Sequence, residues 1–374
     1  MGSLGDALNK HLEQPTAKET QYRPRTEFDG QSGFIQTGPM AEAPKSHTDI
    51  LELFGYNPEE VRIVGAPRIS KWQTYDERWL SSYRFNLEPM RAERDEDFSK
   101  LVSRHKAHKP QEGGPAAFTF QASDLQIGKV DGDGTEGTVA RFLDSIDIAV
   151  AEYKALRKRR SIGLIHVTFP GDCIEGNVSQ NGRNMWRTEL TITEQMRLFR
   201  RLMLHTVERF APLTDELLLD VVNGNHDQAQ RFQETRSDDG HATEQAIAID
   251  DALKLNISAF GHVKVRVPPK DQSYMTVPVG SSVFTVAHGH QWRRDKAMDW
   301  IANQALNGTN VSAAQFLVHG HTHEWSIRST ANRTVIASPA YDGGSLWLAN
   351  GSSGRRGGLT YVTRDGELTD LRLV

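Results

Sequence analysis

Carboxylate, amide and imidazole side chains are concentrated in a few short segments of this 374-residue chain. In chain order the segments are Ser123-Asp124-Leu125-Gln126, Gly171-Asp172, Gly224-Asn225-His226-Asp227, His288-Gly289-His290 and Gly320-His321-Thr322-His323. Such oxygen and nitrogen donors bind divalent metal ions, and two ions about 3.5 to 4 Å apart can clamp one phosphate and share a bridging hydroxide. The five segments together therefore predict metal-assisted hydrolysis of a phosphate ester.

Each segment follows an apolar run that is typical of a β-strand. The runs are 117–120, 162–167, 217–222, 282–287 and 315–318. Because loops at the strand ends of a rigid sheet point several side chains into one crevice, we expect the five segments to converge. Helices are expected between the strands, at about 138–160, 188–211, 241–254 and 293–306, and antiparallel strands are expected after residue 324.

The order of the segments resembles the calcineurin-like metallophosphoesterase superfamily, whose pattern is Asp-x-His, Gly-Asp, Gly-Asn-His-Asp/Glu, His and Gly-His-x-His. The resemblance covers roughly residues 116–340. It implies an α/β (α+β) fold, namely a four-layer sandwich of two mixed sheets flanked by helices. It also implies two divalent metal ions as cofactors, with Mn²⁺ expected first and Mg²⁺, Zn²⁺ or Fe as alternatives.

The resemblance implies a role for each matching side chain. The implied ligands are, for the first ion, Asp124, Gln126, Asp172 and His323 and, for the second ion, Asp172, Asn225, His288 and His321. Asp172 would then bridge the two ions. His226 would act as the general acid, and Asp227 would orient it.

Gln126 departs from the family pattern, which has histidine at this position. A glutamine amide offers a metal only its carbonyl oxygen, a harder and weaker ligand than imidazole. We therefore expect the first site to bind metal less tightly and to favour Mn²⁺ or Mg²⁺ over Zn²⁺. The alternative is that Gln126 hydrogen-bonds a metal-bound water. In the same way His290 is an alternative to His288, although His288 directly follows its strand.

Three further residues are candidates for the surroundings of the ions. Arg183 and Arg187 follow the Asp172 segment and are expected to bind substrate phosphates, since the guanidinium fork is bidentate. Glu175 stands where related repair nucleases often have a second catalytic histidine. We expect its carboxylate to hydrogen-bond His226 or Asn225 from behind.

The local sequence is most similar to the SbcD-like, repair-exonuclease-like metallophosphoesterases of actinobacterial tailed phages. This similarity lies in Ser-Asp-Leu-Gln-Ile-Gly-Lys at 123–129 and Gly-Asp-Cys-Ile-Glu-Gly at 171–176. It implies a nuclease that hydrolyses DNA phosphodiester bonds in phage DNA metabolism. One alternative is a phosphoesterase acting on small nucleotides or phosphomonoesters, and another is a non-catalytic binding or assembly protein with a degenerate site.

Composition limits the partners and the compartment. A net charge of −4 argues against a uniformly basic nucleic-acid binder, although a local basic groove is compatible with it. A single cysteine, Cys173, fits a reducing compartment, and no run approaches the roughly 18 apolar residues of a membrane span. We expect a cytoplasmic protein, in the host cytoplasm if phage-encoded, with no membrane partner.

The chain is expected to have three parts. Residues 1–45 are polar, and we expect them to form a disordered tail. Residues 46–110 are expected to form a small helix-plus-hairpin unit with a linker, and residues 116–374 the catalytic domain. The small unit contains four large aromatic residues, Trp72, Tyr75, Trp79 and Tyr83. They either pack a small core or contact a partner, which could be a protein or nucleic acid.

Overall fold

The structure is a computed structural model that describes residues 23–30, 32–58, 60–89, 98–111, 113–178, 188–230, 236–344 and 354–374. The chain divides between residues 96 and 97 into two compact units. Within the described ranges, no helix combines the length and the apolar character that a membrane span requires.

In its described residues, the first unit is a four-stranded antiparallel sheet with one short helix. Its elements are β1 (Arg25–Phe28), β2 (Gly33–Gln36), helix α1 (His47–Leu53), β3 (Val61–Gln73) and β4 (Trp79–Pro89). The strand order is β1-β2-β4-β3. Ile35, Leu51 and Phe85 are buried together between the sheet and the helix. Ser46 caps α1 by accepting a hydrogen bond from the Asp49 N–H at 3.0 Å.

The predicted helix and hairpin are present, but the predicted disordered tail is too long. β1 and β2 lie within residues 1–45, and β2 pairs with β4. Strands of four residues among polar neighbours show no periodicity in the sequence, and they are stabilised by pairing, β2 with β4 and β1 with β2. The first strand of the hairpin, β3, has an irregular register with β4 between Val64 and Arg68.

The aromatic residues of the first unit divide into two groups. Tyr83 is part of the small core, whereas Tyr75 and Trp79 are exposed. Of these three residues, only Tyr83 packs in the core of the unit. A partner that binds the exposed pair stays a prediction.

The second unit contains two mixed sheets. The larger sheet has the order β15-β14-β5-β6-β7-β8, with β5 (Ala116–Gln121), β6 (Ile162–Pro170), β7 (Leu217–Val222), β8 (Val263–Arg266), β14 (Leu359–Arg364) and β15 (Glu367–Leu373). The smaller sheet has the order β12-β13-β11-β10-β9, with β9 (Tyr274–Val279), β10 (Ser282–Ala287), β11 (Phe316–His319), β12 (Ser326–Ser329) and β13 (Thr334–Ala337). β5 to β8 are mutually parallel, and so are β10, β11 and β13.

The helices of this unit are α2 (Phe98–Ser103), α3 (Gly134–Leu156), α4 (Ile192–Phe210), α5 (His241–Leu253), α6 (Ile257–Phe260) and α7 (Ala297–Leu306). Residues of α3, α4 and α5 are buried with Phe118 of β5 on one face of the larger sheet. On the other face, Ala117 is buried with Phe284 and Phe316 of the smaller sheet. The outer face of the smaller sheet is covered by Ile301 of α7.

This arrangement confirms the predicted fold of two mixed sheets flanked by helices. Neighbouring residues of a strand point to opposite faces, so Ala117 and Phe118 contribute to different cores. Both cores are apolar, which explains why the strands read as continuous hydrophobic runs. Helix α4 begins later than predicted because Thr191 forms a capping box with Glu194.

A charged cluster is buried between the two sheets. The Asp220 carboxylate on β7 lies 2.8 Å from His166 Nε2 on β6 and accepts hydrogen bonds from Arg266 at 2.6 and 2.8 Å. His166 and Asp220 are fully buried. Burial lowers the pKa of His166, and although burial alone would raise the pKa of Asp220, His166 and Arg266 lower it.

We expect Asp220→Asn to lower the free energy of unfolding by about 3 kcal/mol, because it leaves the charge of Arg266 without its buried partner. Urea denaturation followed by circular dichroism would measure this change. The control is Asp251→Asn, which breaks an exposed ion pair with Lys254 and is expected to cost at most about 0.5 kcal/mol. An equal loss of unfolding free energy in the two variants would show that the buried pair of Asp220 and Arg266 stabilises the fold no more than an exposed pair.

The same cluster predicts acid destabilisation in two stages. Folding lowers the pKa of His166 below 6.5, so the unfolded imidazole takes up a proton first as the pH falls through that value. The lowered pKa of Asp220 adds stability that is present above pH 3.8 and is lost below it. Urea midpoints measured from pH 8 to pH 3 should fall in both ranges, and Asp220→Asn should make the fall in the lower range smaller.

Candidate metal centre

The predicted site residues lie on loops that follow strands of both sheets. Asp124, Asp172 and Asn225 follow β5, β6 and β7, and His288 and His321 follow β10 and β11. Since the strands within each of these two sets are parallel, their carboxyl ends meet at one edge of each sheet. The expected position of these residues, on loops at the strand ends, is therefore observed.

Among the described residues, Asp172, His288 and His321 form a group that could hold a metal ion. One potential ligand atom from each lies within 4.8 Å of the others. Asp172 and His288 are buried, whereas His321 is exposed. A group of this kind, closed behind and open on one side, suits a divalent ion that must meet a substrate.

The tautomer of His288 is set by the backbone. Its Nδ1–H donates to the Pro170 carbonyl oxygen at 2.8 Å, because a carbonyl can only accept. Nε2 therefore faces Asp172, with 3.1 Å between Nε2 and Oδ2. A metal-binding imidazole commonly donates its other N–H in this way.

Asn225 lies on a loop that contacts Asp172, since the N–H of the next residue, His226, donates to Asp172 Oδ1 at 2.8 Å. The Asn225 Oδ1 atom is buried and has no hydrogen-bond partner among the described residues. Buried amide oxygens in folded proteins are almost always hydrogen-bonded. A buried oxygen without a partner on this loop is a candidate ligand for a cation, so the ligand set predicted for the second ion is compatible with the structure.

The set predicted for the first ion is arranged differently. His323 Nε2 lies 3.4 Å from Asp124 Oδ1, as expected for neighbouring ligands. The Gln126 Oε1 atom, however, accepts a hydrogen bond from Lys129 Nζ at 2.6 Å, and Lys129 is also paired with Asp342. An ammonium group already uses the oxygen that would bind the ion, so this set does not fit an ion held by Gln126.

Lys129 and Asp342 are the two site residues that sequence reasoning missed. Lys129 stands three residues after Gln126 across a turn with a glycine, which is a recognisable signal. Asp342 lies more than 200 residues away and belongs to none of the five segments. The sequence contains no sign of this second contact.

His226 is oriented by Glu175, and the prediction that Asp227 orients it is wrong. The Nδ1–H of His226 donates to the Glu175 carbonyl oxygen at 3.0 Å, and Glu175 Oε2 lies 3.3 Å from the same nitrogen. The expected contact between Glu175 and His226 is therefore present. Burial alone would lower the pKa of His226, but Asp172 and Glu175 raise it to about 9.

Asp227 connects two loops of the site. Its buried carboxylate accepts hydrogen bonds from the backbone N–H groups of Gly224, Cys173 and Ile174, at 2.7, 3.1 and 3.2 Å. The Asp172 loop and the Asn225 loop are thereby held together. Burial, together with the nearby Asp172 charge, raises the pKa of Asp227 to about 6.

The backbone is strained at the candidate ligands. Five of the ten described non-glycine residues with positive φ are predicted ligands, namely Asp124, Gln126, Asp172, His321 and His323. This conformation costs of order 1 kcal/mol or more at each such residue and is common at functional sites. Position 224 requires glycine, because a Cβ atom there would lie 2.0 Å from Asp172 Oδ1 and would clash with it.

The remaining predicted residues are placed as follows. The ring of His290 lies 5.4 Å from that of His288, and among the described residues His290 is outside the group that could hold an ion. This geometry favours His288 as the ligand. Arg183 and Arg187 lie outside the described residues.

No protein-family model matches the sequence, and no curated protein matches it. Solved structures similar to the chain include an archaeal phosphodiesterase, with 12% identity over 69% of this chain and 99% of that chain and a TM-score of 0.30. A predicted phosphoesterase from Streptococcus pneumoniae has 11% identity over 66% and 82% of the two chains, with a TM-score of 0.26. Vps29 from Entamoeba histolytica in complex with Zn²⁺ has 11% identity over 69% and 98%, with a TM-score of 0.30.

We expect Asp227→Asn to weaken Mn²⁺ binding by about 10- to 100-fold, since the amide presents an N–H to the backbone donors and loosens both ligand loops. Isothermal titration calorimetry on the metal-free protein would measure the affinity. The exposed residue Asp239 provides the matched control, Asp239→Asn, which should bind Mn²⁺ as the wild type does. Unchanged affinity in Asp227→Asn would show that the loops do not depend on this carboxylate.

Proposed function

We propose that the chain is a metal-dependent phosphodiesterase whose substrate is DNA. The observation that carries the proposal is the group formed by Asp172, His288 and His321, together with the buried oxygen of Asn225 on a loop that contacts Asp172. Mixed carboxylate, amide and imidazole donors suit Mn²⁺, and Mg²⁺, Zn²⁺ and Fe are alternatives. The order of the sequence segments, which resembles that of calcineurin-like metallophosphoesterases, supports the same chemistry.

Different residues of the chain would hold the metal ion and donate the proton during hydrolysis. A divalent ion held by Asp172, Asn225, His288 and His321 would supply Lewis-acid polarisation of a phosphoryl oxygen and lower the pKa of a water molecule. The exposed side of His321 leaves room for a phosphate to approach from solvent.

His226 is the candidate proton donor. Glu175 engages Nδ1, so the ring turns Nε2 toward Asp172, with 3.9 Å between Nε2 and Oδ2. The side chain is 17% exposed, which lets a leaving oxygen reach it. A positioned imidazole that protonates a leaving group typically contributes about 10²- to 10⁴-fold to the rate.

DNA is proposed as the substrate because the segments at 123–129 and 171–176 resemble those of repair-exonuclease-like phosphoesterases of phages. A net charge of −4 means that any DNA-binding surface must be local. Arg183 and Arg187 are the proposed phosphate contacts, since they follow the Asp172 loop in the sequence.

We expect His226→Asn to lower kcat on the best substrate by about 10²- to 10⁴-fold, because it removes the proton donor. Mn²⁺ binding, measured by calorimetry, should stay as in the wild type. His205→Asn, on α4 and away from the strand ends, is the control and should keep full activity.

The substrates in this assay decide between the alternatives. Single-stranded and duplex DNA should be compared with bis(p-nitrophenyl) phosphate and p-nitrophenyl phosphate in the presence of Mn²⁺. Strong monoester hydrolysis with intact DNA would reject the nuclease. Hydrolysis of none of the four, by a folded protein that binds Mn²⁺, would reject the enzyme altogether.

A further inference from the structure

A lysine ammonium lies inside the candidate metal centre. Lys129 Nζ donates to Gln126 Oε1 at 2.6 Å and forms an ion pair with Asp342. The side chains of Lys129 and Asp342 are 12% and 4% exposed. Surface ion pairs of this chain, such as that of Lys254, are far more exposed. The Lys129 charge therefore belongs to the interior of the site.

The backbone around Lys129 is fixed on several sides. Gln126 and Gly128 both have positive φ, and the Lys129 N–H donates to the Gln126 carbonyl oxygen at 3.1 Å. The Gly128 N–H donates to Thr135 Oγ1 at 3.1 Å, and the Glu189 N–H donates to the Gly128 carbonyl at 2.8 Å. This tight turn brings the lysine side chain back over Gln126.

The amide oxygens of two predicted ligands have opposite environments. Asn225 Oδ1 has no hydrogen-bond partner among the described residues, whereas Gln126 Oε1 accepts a charge-assisted hydrogen bond. The first oxygen is available to a metal ion and the second is already bound to a cation. The predicted site of the second ion can therefore accept a metal ion at its amide oxygen, whereas the predicted site of the first ion already holds an ammonium group there.

The acidic groups near Lys129 explain why a cation is needed there. Asp124 is fully buried and Asp342 nearly so, and His323 lies between them, at 3.4 and 3.6 Å from their carboxylate oxygens. An ion on Gln126 Oε1 would repel the ammonium or displace it. Displacement would break a buried ion pair, which is strongly unfavourable.

We propose that the ammonium of Lys129 takes the place of the first metal ion, so that the centre binds one divalent ion per chain. That ion is held by Asp172, Asn225, His288 and His321. The inference rests on the metal site of the proposed function and does not depend on its substrate. It replaces a two-ion centre by a centre of one ion and one fixed organic cation.

The test is the stoichiometry of Mn²⁺ binding to the full-length, chelator-stripped protein. Isothermal titration calorimetry should give one equivalent for the wild type, and electron paramagnetic resonance should show the uncoupled spectrum of an isolated ion. Lys129→Met should bind a second ion at least about 100-fold more tightly than the wild type does, because no buried pair must then be broken. Lys129→Arg keeps the charge and should bind one ion.

Lys254→Met is the matched control, since it removes an exposed lysine, and it should also bind one ion. Circular dichroism would establish that each variant is folded. If Lys129→Met does not fold, the number of Mn²⁺ ions bound by the wild type and by Lys129→Arg still tests the inference.

Two coupled ions in the wild type would overturn the inference, and so would a folded Lys129→Met that binds one ion. If the wild type binds no Mn²⁺, the proposed function and this inference fail together. One bound ion without any hydrolysis would leave the inference intact and reject the proposed function alone.

Discussion

Two carboxylates, Asp124 and Asp172, are buried at the ends of neighbouring parallel strands, and the site is organised around their charge. A buried carboxylate is tolerated only when hydrogen bonds and opposite charges compensate for the lost water. The backbone N–H groups of His321 and His226 donate to Asp124 and Asp172 respectively. The imidazoles of His323 and His288 face the same two carboxylates.

The surrounding loops hold this charge in place at a conformational cost. Left-handed backbone at Asp124, Asp172 and His321 is unfavourable in a free chain, so the neighbouring structure must impose it. Asp227 does so by binding two loops through their N–H groups. Behind the loops, two apolar cores on either side of the larger sheet provide the rigidity that the strained residues require.

The sequence predicts the sheets and the ligand loops because both depend on local patterns. Apolar runs mark the strands, and the ligand-type residues directly after them mark the strand ends. The partners of those residues are harder to predict. Asp227 binds backbone N–H groups and does not orient His226, because the stacking of loops more than 50 residues apart decides which groups Asp227 and Glu175 meet.

Lys129 shows the same limit more clearly. Its turn is local, but its ion pair with Asp342 depends on how the two sheets bring distant loops together. The short strands β1 and β2 are invisible in the sequence for a related reason, since β2 is stabilised by hydrogen bonds with β4 and β1 by hydrogen bonds with β2. Local pattern thus predicts which side chains reach the site, and tertiary contacts determine the charge that each one meets.

The position of β14 has a consequence for biosynthesis. This strand lies between β5 and β15, so β5 gains its second neighbour only when residues 359–364 have been made. Pairing across more than 230 residues of intervening chain closes slowly. During translation the loop that contains Asp124 therefore stays on an open sheet edge, exposed to aggregation and to chaperones, until almost all of this sequence has left the ribosome.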